Sequence, residues 1–160
     1  MGSEIFLSYT GIKDLYGAAS NFHEHLEHEV RMKSGNTEIS IFQDKKNLRF
    51  GENFKDALAD ELATVKIFVI LLSPTWLKSD WCKWEYQEYL KHGQNSIIVV
   101  KWDDINGVSL NTEEKQIYND LKQLHVVDWL DLKYADWKSK DENIAAAELA
   151  IQIADKLNQS

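Results

Sequence analysis

Apolar residues follow two different spacings along this chain. Short β-branched or aromatic runs read as strands: Glu4 to Tyr9 (EIFLSY), Glu38 to Phe42, Lys66 to Leu72 (KIFVILL), Ile97 to Trp102 and Val126 to Leu130. The run over 66–72 is apolar without alternation, the pattern of a strand covered on both faces in a parallel sheet. Between the strands, apolar residues recur three and four apart and predict helices. Leu15, Ala19, Phe22, Leu26 and Val30 give an inward stripe over 15–33, and Phe54, Leu58, Leu62 and Val65 give another after an Asn53 cap. Pro74 stops the central strand, and Ser79 or Asp80 can cap the next helix by accepting from its free first-turn amides. Further helices are predicted over 112–124 and 141–157. Strands alternating with helices and joined by short loops specify an open parallel α/β sheet, here of five strands expected in the order 2-1-3-4-5 with helices on both faces.

Ligands of such sheets bind beyond the carboxyl ends of the strands, where the winding direction reverses, here between the first and third strands. The Ser8 to Asp14 loop, with Tyr9, Thr10 and Gly11, meets the Ser73 to Trp81 loop there, and the 43 to 53 loop reaches over both. Next to this point lies SPTWLKSDWCKWEYQEYL (73–90), which sets the carboxylate of Glu85 among aromatic rings. At about 100° per residue, Trp81, Glu85, Glu88 and Tyr89 share one side of their helix while Cys82 and Tyr86 continue into the apolar face. Glu85 is therefore expected at the border between core and cleft. Trp81 is expected to stack on a ligand, Trp84 to pack, and Trp76 to line the site or join the core. Lys45, Lys46 and Arg49 form a cationic cluster placed to meet a diphosphate, with Arg49 preferred for its planar fork.

Composition narrows the classes of function. The chain has 160 residues, 44% of them hydrophobic and 28% charged, which suits one domain with a sizeable core. Its net charge of −8 opposes attraction to phosphate backbones, so nucleic acid is not an expected partner. The longest apolar runs fall far short of the roughly 20 residues that cross a bilayer, and no signal-like segment opens the chain. A cytoplasmic location without membrane association is expected. Cys82 is the sole cysteine, which excludes an internal disulfide and fits a reducing compartment. HEHLEHE at 23–29 lacks the H-E-x-x-H order of a zinc helix and reads as a solvated helix face, so no metal is expected. Neither a G-x-G-x-x-G nor a G-x-x-x-x-G-K-[ST] loop is present, which leaves hydride-transfer and phosphate-loop chemistry without support. Met1 to Ser3 reads as a remnant added ahead of the natural chain.

Three segments, FLSYTGIKD (6–14), IFQDKKNLRFGENF (41–54) and LLSPTWLKSDWCKWE (71–85), resemble the TIR (Toll/interleukin receptor) domains in order and spacing over the whole chain. The third is similar to the S-P-x-(aromatic)...W-C-x-x-E segment of the bacterial and plant-like NAD-cleaving members. A Phe-Trp box 3 pair is missing; Asp128-Trp129 or Asp136-Trp137 stands nearest to it.

The resemblance implies a flavodoxin-like sheet and cleavage of the nicotinamide ribosyl bond of NAD, with NAD as substrate and no cofactor. It carries the catalytic glutamate onto Glu85 and the tryptophan four residues earlier onto Trp81. Tyr9, Thr10, Gly11, Lys45, Arg49, Phe50 and Trp76 complete the expected substrate surface, and Gly51 matches the glycine of the family's loop. It also implies self-association through TIR–TIR contacts, and a single domain over 1–160 cut from a longer effector joined to a sensor, acting in immune or antiphage signalling.

Two rival functions belong to other classes. A non-enzymatic TIR adaptor would bind other TIR domains through the 43 to 53 loop. A flavodoxin-like electron carrier would use Ser8-Tyr9-Thr10-Gly11 as a phosphate loop, but Lys13 stands where that loop needs a threonine.

Overall fold

The computed structural model describes residues 4–10, 18–43, 54–92, 96–132 and 140–158, with the side chains of Gln43 and Phe54 outside that description. The elements run β1 (Ile5–Ser8), α1 (Ala18–Ser34), β2 (Ile41–Gln43), α2 (Phe54–Thr64), β3 (Ile67–Leu72), α3 (Pro74–Lys78), α4 (Asp80–Lys91), β4 (Ile97–Lys101), α5 (Thr112–Lys122), β5 (His125–Asp128) and α6 (Lys140–Asn158). The strands form one sheet in the order β2-β1-β3-β4-β5, and every neighbouring pair is parallel. Fold class and strand order agree with the sequence expectation, as does the presence of helices on both faces.

Alternation along the strands sorts side chains into two cores. Ile5 and Leu7 of β1, with Ile67, Val69 and Leu71 of β3, join the face covered by α1 and α6, where Phe22, Leu26, Leu149 and Ile153 pack. Phe6 of β1, with Phe68, Ile70 and Leu72 of β3, faces α2 to α5, where Leu58, Leu62, Trp76, Tyr86 and Tyr89 pack. Ser8 has the parity of Phe6, so its hydroxyl belongs to this second face. It is also the last residue of β1, paired with Ile70.

The two edges of the sheet are finished differently. At β2, side chains of α1 occupy outward backbone groups of the strand and of the residues leading into it: Glu27 Oε2 accepts from the Ile41 N–H at 2.8 Å, His23 Nε2 lies 2.8 Å from the Ile41 carbonyl, and Arg31 Nε donates to the carbonyl of Ile39, just before the strand, at 2.7 Å. The helix thus stands in for a neighbouring strand, one way to protect an edge from unwanted pairing. On β5, by contrast, Val126 is 43% exposed.

One element departs from expectation. The segment 73 to 81, expected as a loop, contains α3. Pro74 does end β3, but it also opens a helix, since its fixed φ and missing N–H suit the first helical position. Ser73 is the cap, its Oγ accepting from the Trp76 N–H at 3.1 Å. Ser79 then caps α4 by accepting from the Cys82 N–H at 3.1 Å. The two helices therefore follow with one residue between them, so the positions of Trp76 and Glu85 are both fixed by helical geometry.

Candidate functional site

At the carboxyl end of β1, the second face of the sheet holds a buried polar chain. Ser8, 1% exposed, donates from Oγ to Glu85 Oε1 at 2.9 Å. Trp76 Nε1 donates to the same Ser8 Oγ at 3.0 Å. Glu85 is 2% exposed and Trp76 0%. The sequence places Glu85 at the border of core and cleft; it lies deeper, because α4 turns Glu85 inward together with Cys82, Lys83, Tyr86 and Tyr89. Trp76, expected to line the ligand surface or join the core, is core: its ring meets Tyr86 edge-on at 6.1 Å and its indole nitrogen is engaged by Ser8.

A second, more exposed hydroxyl chain runs beside the first. Thr10 Oγ1 lies 2.8 Å from Thr75 Oγ1, which lies 2.9 Å from Ser73 Oγ. Thr10 is therefore joined to the same helix as Trp76. Tyr9 is not brought to the Glu85 side: its parity is opposite to that of Ser8, and it packs against the α1/α6 core. Gly11, Lys45, Lys46, Arg49, Phe50 and Gly51 lie outside the described residues.

Trp81 and Trp84 are both half-buried, with ring centroids 5.3 Å apart. The expected division, Trp81 free to stack and Trp84 packed, is not drawn that sharply. Lys55, near the start of α2, holds its ammonium 5.6 Å from the Trp81 ring and 5.1 Å from the Trp84 ring. The attraction of a cation for the negative face of an aromatic ring thus ties α2 to the helix of Glu85.

Ion pairs brace the helices that aim these groups. Lys83, in α4, reaches Glu113 at 2.9 Å and Asp80 at 3.7 Å. Burial acts to lower the Lys83 ammonium, but the hydrogen bond and charge of Glu113, with Asp80 and Glu114, outweigh it and raise it. Lys78 of α3 meets Glu114 at 3.0 Å. The backbone hydrogen bond at Asn111 and the contact with Lys78 hold the Glu114 carboxyl below its ordinary range. Asn111 and Glu114 also form a reciprocal capping box at the start of α5.

The histidine run differs from expectation too. His25 is not on a freely solvated face: its Nδ1 lies 3.0 Å from Glu142 Oε1, joining α1 to α6. His25, Asn21, Glu24 and His28 line an open cavity of about 350 Å³. Among the described residues, no group of three or more His, Cys, Asp or Glu could hold a metal ion, and no helix is long and apolar enough to cross a membrane.

Sequence reasoning missed Ser8, Thr75 and Lys55. The parity of Ser8 with Phe6 was a usable signal, because it aims a hydroxyl at the face that carries Glu85. Lys55 had none, since its contact depends on how α2 packs on α4.

In comparison with known proteins, the chain is similar to a flavodoxin-like domain from Synechococcus sp., with 12% identity and a TM-score of 0.54 over 98% of this chain and 99% of that one. It is also similar to the TIR domains of the activated Roq1 resistosome, which directly recognises the pathogen effector XopQ, with 17% identity and a TM-score of 0.49 over 96% of this chain and 84% of that one. No curated protein matches it. The family model for the TIR domain matches residues 5–150. That match spans the sheet from β1 into the final helix and includes the Ser8, Trp76 and Glu85 chain, so this protein belongs to the TIR-domain family.

Proposed function

We propose that this TIR domain is an NAD glycohydrolase in which Glu85 is the catalytic carboxylate. The observation that carries the reading is a carboxylate buried at the switch point of a parallel sheet and held there by a neutral hydroxyl rather than left on a solvated helix face. Burying a carboxylate is costly, so a chain that keeps one here has a use for its charge.

The chemistry asks little else of the protein. When the bond between C1′ of the ribose and N1 of the nicotinamide breaks, its electron pair stays with the nitrogen. The pyridinium cation thereby leaves as a neutral molecule without needing a proton, unlike the leaving group of an ordinary glycoside. Positive charge then develops on the ribosyl carbon and ring oxygen. A preorganised carboxylate in a partly dry aromatic setting stabilises that charge far more than it would in water. Water adding at C1′ and losing a proton gives ADP-ribose; the adenine ring adding instead gives a cyclic isomer. Trp81, one helical turn before Glu85, supplies an aromatic face for the flat substrate. Arg49 and Lys45 are assigned to the diphosphate on charge alone.

The depth of Glu85 also supports activation by self-association. At 2% exposure the carboxylate cannot meet a ribose until neighbouring groups move. Contacts with a second copy can supply the energy for that movement and exclude water from the opened site. Contacts between unlike faces would propagate as open filaments.

The test is release of nicotinamide from NAD by the purified protein across a concentration series, with sedimentation run in parallel. Specific activity is expected to rise more than in proportion to concentration as assemblies form. A folded protein that assembles but leaves NAD intact would be a TIR adaptor instead, and flat activity in a persistent monomer would remove the assembly requirement.

A further inference from the structure

The direction of the hydrogen bonds at Ser8 carries a further assignment, which rests on Glu85 being the catalytic carboxylate. An indole N–H can only donate, whereas a serine hydroxyl offers one proton and two lone pairs. Trp76 Nε1 lies 3.0 Å from Ser8 Oγ and therefore occupies one of those lone pairs. The single hydroxyl proton is left to point at Glu85 Oε1, 2.9 Å away. All three residues are at most 2% exposed, so competing water does not scramble this polarity.

We propose that Ser8 and Trp76 are positioning residues for Glu85: the indole N–H fixes the serine hydroxyl as a donor, and the hydroxyl holds the carboxylate ionised and in one orientation. A hydrogen bond donated to a carboxylate stabilises its charged form and offsets the penalty of burial. In a low-dielectric site such a bond is stronger than in water, and each member of a chain polarises the next. The assignment also gives α3 a purpose. The Ser73 cap and Pro74 at the first helical position set the rotation of a helix whose third residue, Trp76, carries the indole. The Thr10 to Thr75 contact ties the start of that helix to the residues that follow β1, so α3 is held twice, at Ser8 of β1 and at Thr10 just beyond it.

The test is an NMR titration of carboxyl-labelled glutamate in the wild type, Ser8→Ala and Trp76→Phe, with the Glu85 resonance assigned by its loss in Glu85→Gln. Ser8→Ala is expected to move the Glu85 titration midpoint up by about one to two pH units, the scale of one hydrogen bond to a charged group. Trp76→Phe keeps the ring but removes the donor, so it should move the midpoint in the same direction by less. The acidic limb of the pH–rate profile should move with the midpoint, and kcat should fall roughly tenfold in Ser8→Ala. A folded Ser8→Ala protein with an unmoved midpoint would overturn the assignment, even with reduced kcat, because the serine would then act through packing alone. Should Ser8→Ala fail to fold, an unmoved midpoint in Trp76→Phe overturns it equally. The titration needs no turnover, so the relay is decided separately from the enzymatic reading. A shifted midpoint in a chain that leaves NAD intact keeps the relay and discards the catalysis. Normal turnover with no shift does the reverse.

Discussion

Glu85 and Glu142 are both buried glutamates, on opposite faces of the same sheet, and they are held in different ways. Glu142, in the first turn of α6, is 6% exposed and faces an imidazole, with His25 Nδ1 3.0 Å from Oε1 and 2.9 Å from Oε2. Glu29 in turn lies 3.6 Å from the other nitrogen of His25. Burial pushes the Glu142 carboxyl up, the His25 hydrogen bond and charge pull it back, and Glu29 pushes it further up. A titratable group that joins two helices hydrogen-bonds one of its oxygens and lies close to the other, which has no hydrogen-bond partner among the described residues, the pattern of a clamp. Glu85 instead receives the proton of a neutral hydroxyl that is itself backed by an indole, at the end of a strand where ligands of such sheets bind. Depth alone therefore does not distinguish the two carboxylates; the kind of partner and the place in the topology do.

Short of removing either carboxylate, the largest effect is expected at the aromatic pair beside Glu85. Trp81→Ala should lower turnover roughly two- to tenfold, since an aromatic contact is worth about 0.5–1.5 kcal/mol and each 1.36 kcal/mol is a factor of ten in rate. Trp84→Ala should cost more in melting temperature than in rate, and Trp81→Phe should keep part of the activity because stacking needs a ring more than an indole nitrogen. Equal losses of turnover at both tryptophans would mean that the pair acts as one packed unit. A smaller effect is expected from Lys55→Met, which removes the cation over both rings. The loss should be about 0.5–1 kcal/mol, or roughly 1–4 °C in melting temperature for a domain of this size. An unchanged melting temperature would show that the lysine only rests on the surface of the pair.

The smallest effect concerns the clamp and carries a sign. Because the folded Glu142 carboxyl lies above its ordinary value, the folded protein holds that proton more tightly than the unfolded chain. Its contribution is fully present below the unfolded value and is lost as pH rises through the folded one. Wild type should thus lose stability relative to Glu142→Gln as pH rises above the ordinary carboxylate value, by parallel thermal melts at each pH. A difference that stays constant, or grows in the other direction, would mean that His25 rather than burial controls the carboxyl.

Much of the fold was legible because strand and helix periods differ so clearly here. The unbroken apolar run at 67–72 reads as a strand covered on both faces, and it leads through α3 to the helix of Glu85. Boundaries were less readable where side chains cap the chain locally. The second strand starts at Ile41 rather than Glu38, since the Glu38 N–H bonds back to Asn36 Oδ1 in a turn. The fifth ends at Asp128, whose own side chain accepts from the Leu130 N–H. The helix α3 was hidden because proline stops a strand and starts a helix with equal ease. At the site, Glu85 stood out by its neighbours in sequence. Its partners, Ser8 and Trp76, lie 77 and 9 positions away, and only the alternation of β1 hinted at one of them. The contact of His25 is invisible in the sequence because its partner Glu142 is 117 positions distant, beyond the reach of any local pattern.

The most direct test compares nicotinamide release by the wild type, Glu85→Gln and Glu142→Gln under assembling conditions, at equal folded fraction by circular dichroism. Each variant removes one buried charge while nearly preserving shape. Glu85→Gln is expected to lose roughly 10²-fold or more, the scale of one preorganised electrostatic group, while Glu142→Gln stays within a few-fold of the wild type. A folded Glu85→Gln protein that still releases nicotinamide at the wild-type rate, or an equal loss in a folded Glu142→Gln protein, would contradict the assignment of the chemistry to Glu85.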